Sequence, residues 1–132
     1  MRRNRRERGF TLMELMVVIV IVAILAAVAV PLYINYVKDA QRTEARGAIG
    51  AVITAEQTYM QANPATGYTA NAADLNVDLT DVNHNWDPPA ITVQDAQNQF
   101  TVRFDGKAGA PTAGLWVQVV YTRNAAPVWT EN

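Results

Sequence analysis

No cysteine occurs in the 132 residues, and the only histidine is His84. Disulfides, thiolate metal sites and cysteine nucleophiles are therefore excluded, while secretion stays open because absence of cysteine says little about compartment. A phosphate-cradling glycine loop, a cluster of histidine ligands and a nucleophile elbow are also missing. No catalytic residue, no metal site and no cofactor is expected.

Charge is scarce in one place above all. Between Arg8 and Lys38 the single charged residue is Glu14, and Leu15 to Val30 is unbroken Leu, Met, Val, Ile and Ala. The charge that does occur is unevenly spread. Arg2, Arg3, Arg5, Arg6 and Arg8 crowd the first nine positions against Glu7 alone, which leaves six basic side chains and eleven acidic ones from Phe10 onward. That acidic body lacks the basic footprint of a nucleic-acid binder, so direct contact with nucleic acid is not expected.

Phe10 to Val30 is 21 residues. As a helix it spans about 30 Å, the thickness of a bilayer's hydrocarbon, so it can cross once. The arginines ahead of it keep that end cytoplasmic and send the rest across.

Three readings compete for this segment. A plain anchor has no use for Glu14. A secretory signal would cut after Ala27-Val28-Ala29, which has the small-x-small form, but its apolar region is shorter than this one and does not carry a carboxylate. In the third reading the charge has a function. Residues 9 to 15 read Gly9-Phe10-Thr11-Leu12-Met13-Glu14-Leu15, followed by the Val/Ile/Ala run and Pro31. This resembles the processing site of type IV pilins and the related pseudopilins of type II secretion.

The resemblance implies that a prepilin peptidase cuts between Gly9 and Phe10, removes residues 1–9 as a leader, and methylates the new amine on Phe10. It further implies that Glu14 of one subunit meets the Phe10 amine of a neighbour and so sets the packing of a homo-oligomeric helical filament. An ionised carboxylate at membrane depth costs about 2.5–3.5 kcal/mol, so it needs such a partner. The reading that needs no neighbour has Glu14 capping or pairing with the start of its own helix. Other implied partners are the inner membrane before assembly, an assembly platform and its cytoplasmic ATPase. The expected course is a single-pass inner-membrane precursor that becomes part of an extracellular pilus.

Pro31 lacks an amide hydrogen and clashes with the preceding turn, so it kinks a helix or ends it at the bilayer surface. The pattern downstream favours continuation. Ala45, Ala48, Ile49, Val52, Ile53, Tyr59 and Met60 recur at three and four spacing opposite Lys38, Asp39, Arg42, Glu44 and Arg46, and Asn63-Pro64 with Gly67 is a stop signal. One helix from Phe10 to about Asn63 is predicted, with 10–30 as membrane and filament core and 31–63 amphipathic. Gly47 and Gly50 weaken its second half and would mark close approach of a sheet.

Residues 64–89 are rich in Asn, Asp, Thr, Pro and Gly and read as a long loop. His84, in Asn83-His84-Asn85-Trp86, reads as solvated. Asp74, Asp78 and Asp81 lack the glycine and closing glutamate of a calcium loop. Strands are predicted at 90–93, 99–104, 115–122 and 128–130. Phe100, Val102 and Phe104 should face the helix; Leu115, Val117, Val119 and Tyr121 should share one face with Trp116 on the other, and a turn should open at Asp105-Gly106. The fold class expected is α+β and pilin-like, a long N-terminal helix packed on a small antiparallel sheet, with 31–132 as the head.

Two functions follow from the resemblance: the subunit of a type IV pilus, for adhesion, motility or DNA uptake, or a pseudopilin of a secretion system. A minor pilin binding at a fibre tip is a third. The region 108–132 shows no Gly/Asp-rich calcium loop of the major pseudopilin type, and the chain cannot close the C-terminal disulfide common in pilins.

Overall fold

The computed structural model describes residues 9–132; the arginine-rich stretch 1–8, with most of the expected leader, lies outside the described residues. Contacts divide the chain into two compact units between Val37 and Lys38.

One helix, α1, runs Leu12–Ala62 with Pro31 inside it. The proline therefore does not end the helix; its missing N–H leaves the Ala27 carbonyl without its donor from the following turn. Up to Val37 the large apolar side chains of α1 are exposed in the single chain.

In the second unit four strands follow: β1 (Ala90–Asp95), β2 (Gln99–Asp105), β3 (Trp116–Thr122) and β4 (Val128–Glu131). They form one antiparallel sheet in the order β1-β2-β3-β4. Register places Ile91 opposite Val102, Val102 opposite Val119, and Phe104 opposite Val117, so these share one face. That face is the dry one, because alternate residues point to opposite sides of a strand. Phe100, Val102, Phe104, Val117 and Val119 are buried there with Ala45, Ala48, Ile49 and Val52 of α1. The expected α+β arrangement of helix on antiparallel sheet is what forms.

On the outer face Trp116 is covered from within its own chain. The Arg103 guanidinium lies 4.8 Å from the ring centroid and is held there by Asp105 at 2.6 Å.

Several local expectations are corrected. Gly47 and Gly50 do not mark close approach, since a Cβ at either would meet nothing within 4 Å. Close approach occurs instead at Gly106, where a Cβ would lie 1.8 Å from the Thr112 carbonyl oxygen. Nor does Asp105-Gly106 open the turn. Asp105 ends β2, Gly106 bridges to Trp86, and the chain turns afterwards, where Ala110 N–H donates to the Lys107 carbonyl.

The 64–89 loop carries two single turns of 3-10 helix, Ala72–Asp74 and Val82–His84. It also delivers Tyr68, Leu75 and Trp86 to the core. Trp86 is completely buried and its indole N–H has no partner.

Candidate assembly site

The start of α1 is built by a reciprocal pair. Thr11 donates from both its N–H and its hydroxyl to Glu14 Oε2, each at 2.8 Å, and its Oγ1 accepts the Glu14 N–H at 3.2 Å. This is a capping box: a threonine before the first turn and a glutamate three residues on satisfy amides that the helix cannot. In the single chain Glu14 thus serves its own helix. The signal for this was present in the sequence as Thr-x-x-Glu ahead of an apolar run.

Gly9 and Phe10 precede the cap and are exposed, Phe10 by 89%, with nothing within 4 Å of where a Gly9 Cβ would stand. The structure thus gathers Gly9, Phe10, Thr11 and Glu14 at one helix end, with Gly9 uncrowded by the described residues. Pro31 lies further along the same helix, and Ala27-Val28-Ala29 is within helical backbone.

The remaining polar residues hold loops together. His84 Nδ1 lies 3.3 Å from the Thr80 carbonyl oxygen, Asp74 accepts from Thr69 and Asn71, and Asp78 accepts from Thr80. Hydrogen bonds from the Thr80 hydroxyl and N–H hold the Asp78 carboxyl below its ordinary range. Asp81 precedes a 3-10 turn without bonding to it. Among the described residues no three His, Cys, Asp or Glu side chains are placed to share a metal ion.

One acidic residue lies on the periodic stripe, where a pattern of apolar residue types passes over it. Glu56 sits on the apolar face of α1, fully buried, and accepts the Thr69 N–H at Oε2 over 3.0 Å while Oε1 has no partner. Burial pushes its carboxyl above the ordinary range, against the lowering effect of the Thr69 bond. Its spacing of four from Val52 and Met60 puts it on the buried stripe, which was the available signal.

An apolar, exposed and capped helical segment, continuous in chain with a helix-on-sheet unit, makes a pilin-like α+β arrangement. Residues 4–30 match the family described as the prokaryotic N-terminal methylation motif, a span that takes in Gly9, Phe10 and Glu14. The motif supports a type IV pilin-like prepilin and does not separate a pilin from a pseudopilin. The motif points to a structural subunit rather than an enzyme. No curated protein and no solved structure matches the chain.

Among the described residues α1 is the helix long and apolar enough to cross a membrane. It suits an inner-membrane precursor.

Proposed function

We propose that the chain is the repeating structural subunit of a type IV pilus, an extracellular fibre for adhesion, surface motility or DNA uptake. The observation that carries this reading is the exposure of every large apolar side chain from Phe10 to Val37. A surface of that kind is stable only in lipid or against other apolar surfaces; the membrane supplies the first before assembly, and copies of the same helix supply the second after it.

In this reading prepilin peptidase cuts the Gly9–Phe10 bond and methylates Phe10. The new amine on Phe10 stands one helical turn from Glu14, and in the filament it pairs with Glu14 of a neighbour. Two charges are then neutralised together where either alone would be costly. Pro31 gives the helix the bend or local opening that packing around a filament axis uses. A platform and an ATPase on the cytoplasmic side drive extraction from the membrane.

The test is to shear fibres from the cell surface, view them by electron microscopy, and weigh the subunit. A fibre whose subunit begins at N-methyl Phe10 is the expected result. A subunit beginning at Val30 overturns the assembly reading, and a methylated subunit that never leaves the envelope assigns the chain to a secretion pseudopilus instead.

A further inference from the structure

Glu56 is not used by the assembly site, yet among the described residues it is the completely buried ionisable side chain of the core. Its surroundings are built around the start of the loop that follows α1. Tyr68 N–H donates to the Ala96 carbonyl at 2.7 Å, and the next amide, that of Thr69, donates to Glu56 Oε2 at 3.0 Å. The Tyr68 ring packs against the stacked pair of Phe100, at 4.6 Å, and Tyr121, at 6.1 Å. Gly67 makes this path possible, with φ of +80° and the Ala96 oxygen only 1.9 Å from where a Cβ would be. Residues 67–69 are fastened to the Asn63 carbonyl by the Gly67 N–H at 3.0 Å, to the β1–β2 turn by the Tyr68 N–H, to Asp74 by the Thr69 hydroxyl at 3.2 Å, and to the helix by the Thr69 N–H. The helix fastening is a single carboxyl.

No cation answers that carboxyl. None of the ion pairs among the described residues includes Glu56. The titratable and charged groups around it are Tyr68 on the loop and, beyond Tyr68, Tyr121 on β3 and Arg123 in the turn after it. Elsewhere on the sheet, Asp95 is bonded to Asn98 and Gln97, and Asp105 to Arg103.

We propose that Glu56 is a proton-operated clasp: protonated, it closes the Gly67–Thr69 segment onto α1, and ionised, it draws water to itself and lets that segment open. The physical reason is the cost of an unpaired charge in a dry core, which one backbone N–H does not offset. The sign follows from burial. The carboxyl holds its proton more tightly in the folded chain than in the unfolded one, so closure is strongest below the ordinary value of 4.5. It weakens as pH rises from there through the folded-state value, and is constant above it. Asp78 and Asp95 are held the other way, below their ordinary 3.8, and act only at more acidic pH.

The test is amide hydrogen exchange at Thr69 in the full chain in detergent, from pH 4 to 8, corrected for base catalysis of exchange. Opening should increase by about tenfold for each unit separating the folded and unfolded carboxyl pKa values. Glu56→Gln, which cannot ionise, should make opening independent of pH. Wild-type opening that does not change with pH overturns the proposal without need of any variant. A Glu56→Gln chain that keeps the wild-type slope overturns it as well.

Discussion

Thr11 and Glu14 occupy each other's hydrogen-bonding capacity: one carboxylate oxygen takes both donors of Thr11, and the Thr11 hydroxyl oxygen takes the Glu14 amide. A carboxylate held this way presents its second oxygen, Oε1, outside the box. Cap and intersubunit partner are therefore compatible roles for one side chain, which makes them separable by substitution.

Glu14→Gln keeps a side chain able to complete a capping box but removes the charge, whereas Glu14→Ala removes both. Both variants should insert and be processed. Fibre yield from each, expressed beside wild-type subunits, should fall by about tenfold or more, because breaking a charge pair in an apolar setting costs several times the energy of one decade. Quantitative immunoblotting of sheared fibres checks this. Normal yield from Glu14→Gln with poor yield from Glu14→Ala would show that the cap, not the charge, is what assembly needs.

Gly106→Ala and Gly67→Ala test the close approaches. Each added Cβ would meet a carbonyl oxygen at under 2 Å, from Thr112 and Ala96 respectively, and Gly67 also has positive φ. Backbone would have to move in both, and each should lower stability by about 1–3 kcal/mol. Gly47→Ala, at an open helical position, should instead raise it by about 0.5–1 kcal/mol. Denaturant unfolding followed by tryptophan fluorescence orders the three.

Asp95 gives a prediction for acid. Hydrogen bonds from the Asn98 side chain and the Gln97 N–H hold its carboxyl below the ordinary 3.8 in the folded chain. The stability linked to it is present above that value and is lost as pH falls through the folded one. Asp95→Ala should flatten this acid limb of the unfolding midpoint and leave its slope above pH 5 unchanged; an acid limb identical to wild type would count against the assignment.

The sheet was legible because strand geometry writes itself into alternation. Phe100, Val102 and Phe104 face inward at every second position, and predicted strand boundaries differ from the observed by at most two residues. The helix was legible to within two residues at its start and one at its end. What escaped was non-periodic. Trp86 and Tyr68 reach the core from a polar loop, where no repeat announces burial and only the folded sheet supplies the hollow they fill. Glu56 escaped for the opposite reason: it falls on the periodic stripe but is a charged residue type, and an apolar pattern passes over it. Glycines were misread because a missing Cβ looks alike in sequence whether it leaves room for a neighbour, as at Gly106, or merely faces water, as at Gly47.

The order of the sheet has a kinetic consequence. Each strand pairs with the strand just before it in the chain, so each pairing closes a short loop and the sheet can form one hairpin at a time. A chain whose body crosses a membrane behind its anchored helix, in sequence order, can fold each hairpin as it clears. With no cysteine to oxidise, completion waits on no thiol chemistry, only on arrival of β4, where Arg46 reaches Glu131 at 2.7 Å and ties the last strand back to the helix.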